Sequence, residues 1–274
     1  MSGISSALAD AARRVVPVSD TPLLDAELLL AHALGVDREQ LLLDPPDDIP
    51  QGFESLVARR EHGEPVAYIV GRRAFWTLEL EVAPGVLVPR PDSETLLDSA
   101  VAHFEGSAGP KRILDLGTGS GALLLAALDQ WRQSSGLGVD SSPAALAIAQ
   151  RNATRLGLAD RAEFQIGDWG HGIDERFDLI LCNPPYVAVT GELGPGVAEH
   201  EPHEALFAGD DGLEALRALA AQFPRLLGQG GLAAVEIGFE QAASAASLLA
   251  RDGLSARLAR DLAGRPRALL LTWV

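Results

Sequence analysis

Apolar and polar positions divide the chain into three stretches, and the first of them follows a helical pattern. Over residues 1–72, apolar residues recur at helical spacing, with caps and breakers at the ends of short segments. One segment places Thr21 at the N-cap, Pro22 in the first turn and Gly35 just past the end. The pattern predicts a small helical bundle. Its four segments are 4–15, 21–34, 37–43 and 50–63.

The second stretch, residues 73–90, alternates in the manner of strands. It contains Pro84-Gly85, a dipeptide that is typical of turns. We therefore expect a β-hairpin that links two domains. The next segment, "RPDSETLLDSAVAHF", predicts a helix capped by Asp92 or Ser93.

From residue 111 onward, strand-like and helix-like segments alternate, which predicts an α/β fold with a parallel sheet and helices on both of its faces. The predicted domains are a helical bundle at 1–72, a hairpin linker at 73–90 and an α/β domain at 91–274. The expected strands are 112–116, 136–140, 162–167, 177–182, 230–238, 254–260 and 267–273. The expected helices are 121–131, 142–158, 212–227 and 239–253.

Composition narrows the functional classes. The 274 residues are 47% hydrophobic, enough for a sizeable core, and no stretch is long and apolar enough to predict a signal peptide or a membrane span. The lone cysteine, Cys182, excludes an intrachain disulfide and suits a reducing cytoplasm. The net charge of −16 argues against binding to nucleic acid or to a membrane surface, which relies on lysine and arginine.

The stretch "DLGTGSGA", residues 115–122, lies between a predicted strand and a predicted helix. Glycine there lets the backbone approach a ligand closely, and the helix N-terminus offers unpaired N–H groups. A tight turn or a dinucleotide site are the alternatives. The spacing is G-x-G-x-G rather than the G-x-G-x-x-G of dinucleotide sites, which favours a nucleoside with a short charged tail.

Polar side chains follow the next two predicted strands. Asp140 can accept hydrogen bonds from both hydroxyls of a ribose, or it can cap the following helix, although Ser141 or Ser142 can serve as that cap. Asp168 can accept from an exocyclic amine, and Trp169 can lie against a flat ring. A surface turn with a half-buried tryptophan is the alternative. Since carboxyl ends of parallel strands share one edge of a sheet, we expect these residues to lie near the glycine loop.

The strand "FDLILC" runs directly into Asn183-Pro184-Pro185-Tyr186. The two prolines stiffen the chain and remove two N–H donors, so carbonyl acceptors stand beside one amide side chain. Asn183 Oδ1 and the Pro184 carbonyl can hold a planar NH₂ group with its lone pair toward an electrophile, and Tyr186 can wall the pocket. The alternative is a proline-stiffened loop. With four such residues beside a nucleoside site, the pattern favours methyl transfer from a sulfonium to a planar nitrogen.

With these motifs, the chain resembles the peptide chain release factor glutamine methyltransferases, a branch of the class I S-adenosylmethionine-dependent methyltransferases. The resemblance covers nearly the whole chain. It rests on "GEPVAYIVGRRAFW", "VLVPRPDSETL", "RILDLGTGSGA", "FDLILCNPPYV" and "EPHEAL".

The resemblance implies a Rossmann-like sheet of seven mostly parallel strands. It also implies transfer of a methyl group from S-adenosylmethionine to the glutamine side-chain nitrogen in the Gly-Gly-Gln motif of release factors, with S-adenosylhomocysteine as product and no metal. The N-terminal helical region would help hold the release factor. Independently of the resemblance, we expect a monomer, and the lone cysteine favours the cytoplasm. Catalysis would rest on Asn183, Pro184 and Tyr186, and Pro185 would join them in gripping the substrate. The implied cofactor-binding residues are Gly117, Thr118, Gly119, Ser120, Gly121, Asp140, Ser141, Asp168, Trp169 and Asn183.

Four alternatives remain at this stage. The same Asn-Pro-Pro-Tyr chemistry can methylate an adenine or cytosine amino group in nucleic acid, with Tyr186 stacked on a flipped base, although the acidic charge disfavours it. A nicotinamide-dependent oxidoreductase is disfavoured by the loop spacing. His200 and His203 in "EHEPH" are more typical of a solvated loop than of a zinc site. A binding protein without turnover would retain the cofactor site.

Overall fold

The computed structural model describes residues 3–46 and 48–274, so residues 1, 2 and 47 of the predicted helical bundle lie outside the described residues. The chain divides into two compact units. The helical unit holds the described part of 1–72 together with 82–84 and 192–201, and the sheet unit holds 73–81, 85–191 and 202–274. This division does not fully follow the predicted boundaries at 72 and 90, since 82–84 and 192–201 also belong to the helical unit. The predicted domain boundaries stay a prediction.

The helical unit packs its helices around a small apolar core that includes Leu29, Leu30 and Val57. Gly35 ends the second helix at φ 69°, a conformation that favours glycine, and its N–H caps the last turn. A fifth helix, which the pattern did not predict, follows the four expected ones. The bounds are α1 Gly3–Val15, α2 Pro22–Leu34, α3 Arg38–Leu43, α4 Phe53–Glu61 and α5 Val66–Val70, with a 3₁₀ turn at Val16–Val18.

The hairpin is present and Pro84-Gly85 forms a turn as expected, but the hairpin itself reverses earlier, at Trp76 and Thr77. Strands β1 (Arg72–Phe75) and β2 (Leu78–Glu81) form a two-stranded sheet. The chain reverses at Trp76, at φ 55°, and Trp76 donates its N–H to Glu94 Oε1 at 2.9 Å. Pro84-Gly85 lies beyond β2. A side chain 18 residues away thus holds a turn that carries neither Gly nor Pro, and no local signal could reveal it.

The main sheet has seven strands, which confirms the expected α/β fold. The strand order is β5-β4-β3-β6-β7-β9-β8. Pairs among the first five of these strands are parallel, and β9 pairs antiparallel with both β7 and β8. The bounds are β3 Arg112–Leu116, β4 Ser135–Asp140, β5 Ala162–Ile166, β6 Phe177–Cys182, β7 Leu227–Glu236, β8 Leu254–Arg260 and β9 Pro266–Trp273.

Helices cover both faces of this sheet, because its central strands alternate buried side chains between two cores. Leu179 and Leu181 of β6 pack in one core with the helices that begin at residues 94, 122 and 143. Ile180 and Cys182 pack in a second core with the helices that begin at residues 214, 223 and 242. The bounds are α6 Glu94–His103, α7 Ala122–Gln130, α8 Pro143–Arg155, α9 Val197–His200, α10 Glu214–Ala220, α11 Phe223–Leu226 and α12 Ala242–Leu249, with 3₁₀ turns at Pro91–Ser93 and His203–Ala205.

Two further features differ from the sequence predictions or bear on them. The helix expected over 212–227 is two helices, α10 and α11, separated ahead of Pro224, which cannot continue a helix interior.

Across the described part of the chain, the structure contains no helix with the length and apolar character that a membrane span requires.

Candidate active site

The strand register brings the predicted site residues to one edge of the main sheet. Leu116 of β3 pairs with Val139 of β4 and with Cys182 of β6, so the segments that follow these strands emerge side by side. The chain continues from β3 to β4 and β5 on one side of the sheet, and from β6 to β7 and the last two strands on the other side. The gap between the ends of β3 and β6 is therefore the switch point at which open α/β sheets bind ligands.

The glycine loop between β3 and α7 requires glycine at three positions. Gly117, Gly119 and Gly121 have φ values of 74°, 55° and 84°, which favour glycine over residues with a Cβ atom. Thr118 and Ser120 face inward. The Thr118 hydroxyl donates to Asp115 Oδ2 at 2.6 Å, and the Ser120 side chain is 2% exposed.

A cleft opens at this edge of the sheet unit, and eight predicted site residues line it. They are Gly117, Gly119, Asp140, Ser141, Asp168, Trp169, Asn183 and Pro185. The other predicted residues, Thr118, Ser120, Gly121, Pro184 and Tyr186, are not among its lining residues. The first three of these belong to the glycine loop, where the buried Thr118 and Ser120 side chains support the cleft rather than face it.

Asp140 is held by two backbone N–H groups. Its Oδ2 accepts from Gly119 at 2.8 Å, and its Oδ1 accepts from Ser142 at 2.9 Å. The Ser142 hydroxyl, in turn, accepts from Ala145 N at 3.3 Å and caps α8, as one alternative had it. The carboxylate is thus oriented by the glycine loop and keeps lone pairs for a ligand, because each oxygen can accept more than one hydrogen bond.

Asp168 and Trp169 follow β5 on the same edge. The Asp168 side chain is 78% exposed, and its Oδ2 lies 3.9 Å from His171 Nε2. Trp169 has a φ of 50°, and a Cβ atom placed on Gly117 would meet its ring at 3.4 Å. The indole therefore forms one wall of the cleft against the glycine loop.

Asn183 and Tyr186 leave β6 and turn toward side chains of other elements. Asn183 Nδ2 donates to Ser93 Oγ at 3.0 Å, and the Tyr186 hydroxyl donates to Glu236 Oε1 at 3.2 Å. Burial and the neighbouring Glu236 raise the pKa of Tyr186, so its phenol stays neutral. Gln241 holds the backbone beside them by donating to the Tyr186 carbonyl at 3.0 Å.

Ser93 and Glu236 are the residues that sequence reasoning missed. The Ser93 hydroxyl does not cap α6 but donates to Glu236 Oε2 at 2.5 Å, and Glu236 is fully buried at the end of β7. Burial raises the pKa of Glu236 to about 7, although Ser93, Arg267 and Tyr186 oppose the shift. The available signal was a carboxylate that ends the apolar run "GLAAVE", but only the pairing of β7 with β6 places it beside Asn183.

The residues of the cleft fit a cofactor that carries positive charge. Its ionisable lining side chains in the described structure, Asp140, Asp168 and Glu204, are all carboxylates. Asp115 Oδ1, behind the glycine loop, is buried without a hydrogen-bond partner, and burial raises the pKa of Asp115 to about 7. A Cβ on Gly117 would fill the space between Trp169 and the Asn183 carbonyl, which only glycine leaves open.

Metal ligation has no corresponding arrangement in the part of the chain that the structure describes. No group of three or more His, Cys, Asp or Glu side chains there is placed to hold a metal ion. His200 Nε2 instead lies 3.2 Å from the carbonyl of His62, within the helical unit. The expectation that the reaction uses no metal stays a prediction.

The sheet order and the glycine loop at its switch point define a class I methyltransferase fold. A methyltransferase from Pyrococcus furiosus shares this fold, with a TM-score of 0.55 and 21% identity over 73% of this chain and 90% of that one. The family described as "PrmC N-terminal domain" matches residues 6–71, and the family described as "Methyltransferase domain" matches residues 109–237.

Two of the relatives illustrate the similarity over most of the chain. The release factor glutamine methyltransferase of Rhodospirillum rubrum is 45% identical over 92% of this chain and 79% of that protein. The protein of the same name from Xylella fastidiosa (strain 9a5c) is 45% identical over 89% of this chain and 90% of that protein. The chain therefore belongs to the family of release factor glutamine methyltransferases, which confirms the resemblance drawn from its motifs.

Proposed function

We propose that this protein transfers a methyl group from S-adenosylmethionine to the side-chain amide nitrogen of the glutamine in the Gly-Gly-Gln motif of peptide chain release factors. The observation that carries the proposal is the placement of Asn183 at the end of β6, directly across the switch point from the glycine loop. An amide acceptor and a nucleoside cleft thus share one edge of the sheet.

The cleft supplies the groups that hold the cofactor. Asp140, fixed by the loop, would accept hydrogen bonds from the ribose hydroxyls, and Asp168 and Trp169 would flank the adenine. Gly117 and Gly119 would leave room for the methionine end, behind which Asp115 lies. When bound, S-adenosylmethionine supplies an electrophilic methyl group on a sulfonium, and the leaving group is a neutral thioether.

Asn183 and Pro184 prepare the substrate nitrogen. An amide nitrogen is a weak nucleophile because its lone pair is delocalised into the carbonyl. Acceptance of its two N–H bonds by Asn183 Oδ1 and by the Pro184 carbonyl raises the electron density on nitrogen and aligns it for displacement. The nitrogen gains the methyl group and loses one proton to solvent. Glu236 is fully buried and does not line the cleft, so positioning rather than a general base carries the reaction.

The family and the helical unit both support a release factor as the partner of this protein. The relatives are named for release factors, and a family description of the N-terminal domain matches this chain over residues 6–71. We expect the helical unit to help hold the release factor, which would place its Gly-Gly-Gln loop at Asn183. A cytoplasmic monomer that does not act on nucleic acid completes the proposal.

Methyl transfer from labelled S-adenosylmethionine tests this proposal. The acceptors are a purified release factor, the same factor with its Gly-Gly-Gln glutamine changed to alanine, bulk DNA and bulk RNA. We expect label on the intact factor alone. Label on nucleic acid with none on the factor would instead favour the amino-group methyltransferase of nucleic acid.

Asn183→Ala separates catalysis from binding in the same assay. Loss of one pre-organised hydrogen-bonding group at a reacting centre typically costs about 10²–10³-fold in rate. We therefore expect methyl transfer to fall by that factor while S-adenosylmethionine still binds, as measured by calorimetry. Unchanged turnover in Asn183→Ala would contradict the assigned role of this amide.

A further inference from the structure

Three hydrogen bonds link Asn183 and Tyr186 to a buried carboxyl group that lies outside every predicted motif. Asn183 Nδ2 donates to Ser93 Oγ at 3.0 Å, and Ser93 Oγ donates to Glu236 Oε2 at 2.5 Å. The Tyr186 hydroxyl donates to the other oxygen, Oε1, at 3.2 Å. Ser93 is 3% exposed and Glu236 is 0% exposed, so water does not compete for these bonds.

The directions of these bonds follow from the number of hydrogens available. A serine hydroxyl has one hydrogen, and the Glu236 carboxylate, when it is ionised at a pH above its pKa, only accepts. Because the Ser93 hydrogen goes to Glu236, the Ser93 oxygen can offer only lone pairs to Asn183. The NH₂ end of the Asn183 amide can pair with those lone pairs, whereas its oxygen would be repelled by them.

This asymmetry has a consequence for the reacting end of Asn183. A side-chain amide can rotate by 180° and exchange its oxygen and nitrogen positions. With nitrogen turned toward Ser93, the oxygen must face the opposite way, as acceptance of a substrate N–H requires. The opposite rotamer would present an NH₂ donor to the substrate NH₂, and two donors cannot form a hydrogen bond.

We propose that Ser93 and Glu236 are positioning residues for methyl transfer, which hold the Asn183 amide with its oxygen available to the substrate nitrogen. The inference rests on the proposed function, since it takes that nitrogen to be the acceptor. Glu236 acts through Ser93 on Asn183 and through its other oxygen on Tyr186. One buried carboxylate thereby aligns two residues of the Asn-Pro-Pro-Tyr segment.

Ser93→Ala is the primary test, and Ser134→Ala is its matched control. Ser134 is also buried, at 1% exposure, and its hydroxyl donates at 2.5 Å to the Pro110 carbonyl, away from the cleft lining. At pH 8, above the pKa of Glu236, we expect Ser93→Ala to lower kcat about 10²-fold, the scale of a small misplacement at a reacting centre. The KM for S-adenosylmethionine should stay within about twofold.

Ser93→Thr and a double variant separate positioning from a merely structural role. Threonine keeps the hydroxyl, so Ser93→Thr should restore most of kcat. If Ser93 and Glu236 act as one unit, Ser93→Ala combined with Glu236→Ala should lose no more kcat than the worse single variant. Full kcat in Ser93→Ala, or an equal loss in Ser134→Ala, would overturn the proposal.

A second measurement does not depend on the reaction. In protein with ¹⁵N-labelled asparagine, the side-chain NH₂ signal absent from Asn183→Ala identifies Asn183. We expect slow hydrogen exchange of one of its protons in the wild type and in Ser93→Thr, and fast exchange in Ser93→Ala. An unchanged signal in Ser93→Ala would overturn the positioning role even if methyl transfer to the release factor is observed. A wild type with the protected amide but no transfer would count against the proposed function alone.

Discussion

At the scale of single residues, Glu204 adds a third carboxylate to the lining of the cleft. It lines the cleft with Asp140 and Asp168, and together they form an acidic surround. S-adenosylmethionine carries a sulfonium charge that its product lacks. Glu204 is exposed, and two unit charges about 4 Å apart in water interact by about 1 kcal/mol. We therefore expect Glu204→Gln to weaken S-adenosylmethionine binding about fivefold and S-adenosylhomocysteine binding less than twofold, as measured by calorimetry.

The control for this comparison is Glu105→Gln. Glu105 is an exposed carboxylate in the segment that leads into β3, at the opposite edge of the sheet. Its loss changes the net charge equally but removes no charge from the cleft. An equal weakening of both ligands by Glu204→Gln would show that Glu204 contributes contact rather than charge discrimination.

Among the elements, α8 joins the hairpin to the glycine loop through Asn152. This residue is fully buried, accepts from Glu81 N at 2.7 Å, and donates to the Glu81 and Ser120 carbonyls at 3.0 and 2.9 Å. Removal of a buried partner leaves each remaining group unsatisfied, at a cost of about 1–3 kcal/mol. Asn152→Ala should therefore lower the free energy of unfolding by about 3 kcal/mol, as measured by urea titration.

Gln150→Ala provides the matched control on the same helix. The Gln150 side chain is exposed, and its substitution should change the free energy of unfolding by less than about 0.5 kcal/mol. Equal midpoints for Asn152→Ala and the wild type would mean that the hairpin does not depend on this amide. Since Asn152 holds the Ser120 carbonyl, its loss should also weaken cofactor binding.

For the whole molecule, two buried carboxyl groups set the pH dependence of stability in the neutral range. Burial raises the pKa of both Asp115 and Glu236 to about 7. Between about pH 4 and pH 7 the folded state then binds more protons than the unfolded state, so stability falls as pH rises. Each pKa unit corresponds to about 1.4 kcal/mol. We expect the free energy of unfolding of the cofactor-free protein to fall by on the order of 5 kcal/mol between pH 5 and pH 8.

Two isosteric variants check the origin of this slope. Asp115→Asn and Glu236→Gln keep the size of the side chain and one carbonyl oxygen but cannot ionise, so each should remove about half of the decline. The surface carboxylates whose pKa values are lowered by arginine, such as Glu175 beside Arg112, lose their stabilisation only at more acidic pH. A wild-type stability that is constant or rising from pH 5 to pH 8 would show that the two groups ionise normally.

At the level of the whole fold, local pattern was enough for the alternating strands and helices and for the glycine loop. Strand β3, which spans Arg112–Leu116 in the structure, matches its predicted bounds because a short, mostly apolar run that ends at a glycine-rich turn predicts a buried strand. The loop was recognisable because positions such as Gly119 adopt a positive φ, which favours glycine and therefore leaves a pattern in the sequence. The roles assigned to the site residues stay predictions, although the structure brings eight of them into one cleft.

What only the tertiary structure decided is how distant segments meet. Ser93 and Glu236 are 143 residues apart, and their contact exists because β7 lies beside β6 and the chain ahead of α6 reaches the same sheet edge. The hairpin turn at Trp76 likewise depends on Glu94. Sequence alone determined which short segments could hold a cofactor and a planar nitrogen, because a glycine requirement and an apolar run are both encoded within a short segment. Strand order and register arise from packing between segments, so they decided which buried side chains stand behind Asn183.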